Sequence, residues 1–207
     1  MEDETLSFLA LGDSYTIGEA VKEYERWPVQ LVSRLRKNNI SIEEAKIVAK
    51  TGWTTDELIA AIEERDIQRT YDLVTLLIGV NNQYRGYPIE QYEKEFEELV
   101  TKAIKYAAGI PENVFVISIP DYGVTPFAVE KELDAAKIAS DLEAYNDIAR
   151  RIATSKNIIF TDITQDSKDA KNDPSLTAKD GLHPSSKMYA LWVEALYLSI
   201  YDNLSTR

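Results

Sequence analysis

The chain has 207 residues, 44% hydrophobic and 28% charged, and its 23 Lys and Arg against 35 Asp and Glu give a formal net charge of −12. That size and apolar content suit one domain over residues 1–207 with a substantial core and exclude a disordered chain. The acidic balance excludes nucleic acid as a partner, because phosphate binding needs clustered cations, and the absence of cysteine excludes disulfides, a thiolate nucleophile and Cys-rich zinc sites.

The first apolar run, residues 6–12, is short and β-rich, which predicts a buried strand. It is too short for a membrane span or a signal-peptide core. The expectation is therefore no integral membrane segment and a cytoplasmic location, or a periplasmic or secreted one if a leader before Met1-Glu2-Asp3-Glu4 has been removed. The run ends in Gly12-Asp13-Ser14-Tyr15-Thr16-Ile17-Gly18, which sets a serine hydroxyl just past a strand end.

Helical periodicity follows over residues 28–36, then a second strand at 46–49 and the segment Lys50-Thr51-Gly52-Trp53-Thr54-Thr55. A helix is predicted over 55–64, a third strand over 73–78, and after it comes Gly79-Val80-Asn81-Asn82. Helix 89–108, strand 114–119, helix 133–153 and strand 158–161 continue the alternation. A polar segment, 162–181, leads into Asp180-Gly181-Leu182-His183-Pro184-Ser185 and a last helix over 185–200.

Strands alternating with helices imply right-handed crossovers and a parallel sheet with helices on both faces, a three-layer α/β domain. Ligands then bind beyond the carboxyl ends of the strands. The sequence shows no internal repeat and no signal for oligomeric state.

Ser14 alone decides little, since Gly-Asp-Ser is a frequent turn composition and a serine there also suits a helix N-cap. Its partners carry the argument. His183 is the one histidine of the chain; Pro184 disfavours helix at His183, and Ser185 suits the cap of the last helix. Asp180 precedes it by three residues with Gly181 between, a spacing that brings carboxylate to imidazole. Serine needs such a base, held by a third group, to become nucleophilic.

Donors to an oxyanion are the remaining need. Gly52 has no side chain to screen its N–H, and Asn81 carries an amide; taken singly, Gly52 also fits a positive-φ turn and Asn81 an Asx-turn. Four blocks in the right places, three after successive strands and one before the last helix, make chance a poor explanation.

Together these blocks resemble the SGNH subgroup of the GDSL esterase/lipase family, whose four motif residues correspond to Ser14, Gly52, Asn81 and His183. The resemblance spans nearly the whole chain. It implies a flavodoxin-like fold with five parallel strands and an acyl-enzyme serine esterase without cofactor. It also implies oxyanion donors from the Ser14 and Gly52 backbone and the Asn81 amide, with Asp180 and His183 completing a triad. Asn82 departs from the family's usual aspartate, which implies altered loop hydrogen bonding rather than altered catalysis.

Asp13, Tyr15, Trp53, Tyr84 and Tyr122 lie beside the motifs and are the expected substrate contacts, with Tyr87 and Phe127 as further aromatic candidates. The expected substrate is a small ester, a short acyl ester or acetylated sugar, with longer acyl chains of lysophospholipids or thioesters as the alternative. A catalytically silent carbohydrate-binding module is the rival of another class. No Gly-rich phosphate loop is present. The carboxylates Asp162, Asp166, Asp169 and Asp173 do not fit an EF-hand and read as a solvated loop, so no metal is expected.

Overall fold

The computed structural model describes residues 5–205; residues 1–4, which include the acidic opening, and 206–207 lie outside the described residues. Five strands, β1 (Phe8–Gly12), β2 (Lys46–Ala49), β3 (Leu73–Leu77), β4 (Val114–Ile117) and β5 (Ile159–Thr161), form one parallel sheet in the order β2-β1-β3-β4-β5. This is a flavodoxin-like order, as the family resemblance implies, and the parallel pairing is what the alternation predicts. β1 and β3 are buried at every position, so both their faces are covered, which is why they read as continuous apolar runs.

The helices are α1 (Ser14–Ile17), α2 (Trp27–Lys37), α3 (Thr55–Glu64), α4 (Val80–Tyr84), α5 (Ile89–Tyr106), α6 (Pro126–Glu130), α7 (Ala135–Ser155), α8 (Thr164–Lys168) and α9 (Ser186–Ser205). α2 packs on α9, whereas α3, α5 and α7 pack in sequence against one another. In α5 the residues Tyr92, Phe96, Leu99, Val100 and Ala103 are buried, one stripe at helical spacing facing the sheet. Phe96, Leu99 and Val100 each contribute about 1.5–3 kcal/mol on burial.

Four strand ends, the starts of β1 and β5 and the ends of β3 and β4, are shorter than the apolar runs predict, and at two of them side chains take the backbone groups that a longer ladder would use. Ser7 N–H donates to Asp72 Oδ2 at 2.8 Å. Asn146 brackets Ile119, accepting from its N–H at 2.7 Å and donating to its carbonyl at 3.0 Å. The polar segment 162–181 contains α8 and two 3₁₀ turns.

Register aligns the loops at the carboxyl ends of the strands. Gly12, the last residue of β1, pairs with Ala49 of β2 on one side and Leu77 of β3 on the other. The three strands therefore end at one level. Ser14, Gly52 and Asn81 follow those ends by two, three and four residues, on adjacent loops of one sheet edge. β1 and β3 flank the point where the winding reverses, the usual ligand crevice of such sheets.

Candidate active site

Gly12 is required for this turn: a Cβ there would lie 2.5 Å from the Leu77 carbonyl and collide with Thr16. The chain then turns into α1, with Asp13 as its N-cap and Ser14 as its first residue. The first N–H of a helix has no intrahelical acceptor, so the Ser14 N–H is available to a ligand.

Asp13 is not the substrate contact expected of it. The residue is fully buried, and its Oδ1 accepts from Tyr15 N–H at 3.0 Å; its Oδ2 finds no partner among the described residues. Burial pushes its carboxyl up to about 7, against the lowering effect of its backbone hydrogen bonds.

A raised folded-state pKa means that the native protein holds a proton from about pH 4 to about 7 that the unfolded chain has lost, so stability falls with rising pH across that window. The displacement from 3.8 to about 7 corresponds to ~4 kcal/mol in order of magnitude. Asp13→Asn keeps the cap acceptor and removes the charge. Its stability should decline less from pH 4.5 to 8 than the parent's, so the variant gains on the parent as pH rises. Urea midpoints across that range check this; parallel curves would refute it.

The second loop is built on Gly52, where the φ of +88° rather than crowding selects glycine, since a Cβ there would meet only the Arg85 guanidinium at an ordinary 3.5 Å. The third opens on α4, a short helix where a loop was expected. Asn81 Nδ2 donates one hydrogen to the Trp53 carbonyl at 2.9 Å, which leaves its other amide hydrogen free in direction. Asn82 is fully buried, accepting from Thr55 N–H at 3.1 Å and donating to Thr55 Oγ1 at 2.7 Å. Because Asn82 donates there, the Thr55 hydroxyl directs its own proton to Glu95. An aspartate at position 82 would itself accept that proton.

The fourth block folds back on one carboxylate. Asp180 Oδ1 accepts from the N–H groups of Leu182 and His183, both at 3.0 Å, while Oδ2 lies 2.6 Å from His183 Nδ1. Gly181 makes the reversal with φ +73°. The carboxylate fixes the tautomer: Nδ1 carries the proton and Nε2 is left as an acceptor. Burial works against the charged form of Asp180, but the bonds from the His183 ring, Leu182 and His183 N–H hold its carboxyl below the usual range. Ser185 Oγ accepts from Met188 N–H at 3.3 Å, capping α9 as its position predicts.

Ser14, Gly52, Asn81 and His183 line one cavity of about 240 Å³. Its remaining wall is largely apolar, with Tyr15, Val80, Tyr84, Tyr122, Phe127 and Leu182. Among the described residues no hydrogen bond joins the Ser14 hydroxyl to His183; such bonds commonly tighten only with substrate. The Tyr15 ring meets the His183 ring edge-on, with centroids 6.0 Å apart, and Tyr122 is fixed by a bond from its hydroxyl to Gln83 Oε1 at 2.8 Å.

Of the expected contacts, Tyr15, Tyr84 and Tyr122 reach the cavity, as does Phe127. Trp53 is outside its lining; it is half-buried, with its ring 6.0 Å from the Arg65 guanidinium. Tyr87 is also outside, and its carbonyl accepts from the Tyr145 hydroxyl at 3.2 Å. Val80 and Leu182 were missed because an apolar residue beside a motif reads as core. Among the described residues no group of three or more His, Asp or Glu is placed to hold a metal, and no helix is long and apolar enough to cross a membrane.

A serine, a carboxylate-held imidazole and neighbouring N–H donors at strand carboxyl ends make up the apparatus of acyl transfer. The chain belongs to the GDSL-like Lipase/Acylhydrolase family, whose model matches residues 10–191. It is a carboxylic ester hydrolase of the GDSL/SGNH type. It is similar to the spore germination lipase LipC of Bacillus licheniformis, 25% identical over 97% of this chain and 99% of the relative. The solved structure of TesA matches with a TM-score of 0.75 and 17% identity over 96% of this chain and 99% of that one. Axe2, an acetylxylan esterase from Geobacillus stearothermophilus, gives 0.73 and 20% identity over 97% and 96%. The structural likenesses define the fold.

Proposed function

We propose that the protein hydrolyses esters of short aliphatic acids through an acyl-enzyme on Ser14. The observation that carries this reading is the shared cavity, in which Ser14 and the Asp180-held His183 face a small apolar wall. Ser14 Oγ attacks the acyl carbon as its proton passes to His183 Nε2. The negative charge on the carbonyl oxygen is met by the N–H groups of Ser14 and Gly52 and the amide of Asn81. As the intermediate collapses, His183 returns the proton to the leaving alkoxide. Water then attacks the acyl-enzyme with His183 again as base, releasing the acid and restoring Ser14.

A volume of about 240 Å³ is below the ~300–1,000 Å³ of pockets for drug-sized ligands. Its apolar wall suits an aliphatic acyl group better than a polar sugar, which leaves the alcohol on the solvent side. Tyr84, 55% exposed, and Val129, 74% exposed, extend apolar surface at the α4 and α6 side, which is the ground for the longer-chain reading.

A series of p-nitrophenyl esters from acetate to palmitate separates the two. Each buried methylene is worth up to ~0.8 kcal/mol, about fourfold in kcat/KM, until the cavity is full. The expected maximum is between butanoate and octanoate, with palmitate at least about tenfold lower. A rise continuing to palmitate would replace the short-acyl reading with the longer-chain one. A phosphonate probe should label Ser14 alone; labelling elsewhere would refute the nucleophile.

A further inference from the structure

Two consecutive carbonyls of the loop after β2 are held by side chains from the segment after β3. Asn81 holds the Trp53 carbonyl, and Arg85 Nη2 donates to the Gly52 carbonyl at 2.5 Å. Arg85 Nη1 reaches Glu57 Oε2 at 3.4 Å, and the same carboxylate oxygen accepts from Thr54 N–H at 2.9 Å. The guanidinium thus spans the loop, one arm on Gly52 and the other on the carboxylate that caps α3.

Stability does not account for this arrangement. The Arg85 and Glu57 side chains are 39% and 41% exposed, and ion pairs at such exposure contribute only about 0–1 kcal/mol. A lysine would also suffice for charge alone, whereas the planar fork of arginine serves two acceptors at fixed angles. What the contact holds is the Gly52 carbonyl and so the Gly52–Trp53 peptide plane; the Gly52 N–H lies in the Thr51–Gly52 peptide, and with the far plane held it swings only by a coupled change of the Gly52 φ and ψ.

We propose that Arg85, braced by Glu57, is a positioning residue for the oxyanion hole, holding the Gly52 N–H toward the substrate oxygen. This rests on the reading of Gly52 as an oxyanion donor. A donor that is displaced rather than deleted acts on the transition state, where the charge develops, and little on ground-state binding.

The test is steady-state kinetics on p-nitrophenyl butanoate with Arg85→Met, Arg85→Lys and Glu57→Gln, each with its thermal midpoint. Arg85→Met should lower kcat about 10–100-fold, less than the ~10²–10³ for outright loss of a donor. KM should stay within about twofold and the midpoint within about 3 °C. Arg85→Lys should recover part of the loss, and Glu57→Gln should lose less than Arg85→Met because the Gly52 bond survives. A kcat within about twofold of the parent in Arg85→Met, or a risen KM at unchanged kcat, overturns the proposal. Should Arg85→Met fail to fold, an unchanged kcat in Arg85→Lys overturns it equally. Ser14→Ala separates the failures: turnover persisting there sinks the site reading itself, whereas a silent Ser14→Ala beside a fully active Arg85→Met sinks only the role of Arg85.

Discussion

Ser14→Ala is expected to lower kcat on p-nitrophenyl butanoate by about 10⁴–10⁶ while leaving the fold and its thermal midpoint intact. Among the described residues the Ser14 hydroxyl has no hydrogen-bond partner, so its removal leaves no buried group unsatisfied. The turn itself depends on Gly12 and on the Asp13 cap, neither of which is altered. What remains should be the slow attack of water on an ester polarised by backbone donors. Labelling by the phosphonate should vanish along with turnover. A variant within tenfold of the parent would show that the nucleophile is another group.

Most of the fold was legible because both faces of the sheet are covered. A strand buried on both sides has no alternation to decode, only a short apolar run between turn residues, and all five runs became strands. What the runs could not show was where each ladder stops, which at two ends is decided by distant side chains: Asn146 at Ile119 and Asp72 at Ser7. The short helices α1, α4, α6 and α8 also escaped, being four or five residues long and so little more than one turn, too short for the hydrophobic pattern to repeat.

Legibility of the site divides along the same line. Ser14, Gly52, Asn81 and His183 could be singled out because each follows a strand or precedes a helix at a spacing the chemistry requires, and all four line one cavity. Asp13 was misplaced because a carboxylate in a polar turn reads as solvent-facing, although Asp before a helix start is an N-cap signal. Here the cap is folded beneath the Ser14 turn and wholly buried. Arg85 carried no signal, since its acceptor is 33 residues upstream and only the register of β2, β1 and β3 brings the two together.

Asp180→Asn, nearly isosteric, is expected to cost about 10⁴ in kcat with little change in fold. The two backbone N–H groups of Leu182 and His183, both 3.0 Å from Oδ1, need an acceptor, so the asparagine must keep its carbonyl oxygen there. Its NH₂ then faces His183 Nδ1, where the carboxylate oxygen stood at 2.6 Å. Two donors cannot share that contact, so Nδ1 must become the acceptor and the ring proton moves to Nε2. The nitrogen facing the cavity then carries a proton and cannot take the one from Ser14. In the parent, the carboxyl is held below its usual range despite partial burial. Its contribution to stability is therefore present above the unfolded value of about 4 and lost only as pH falls through the lower folded one, so the tautomer is held throughout the neutral range. Asp180→Ala offers the contrast, since it also leaves both backbone N–H groups without their acceptor and should lose stability as well as activity. If Asp180→Asn retains kcat within about tenfold of the parent at neutral pH, orientation of the base is not what the carboxylate supplies.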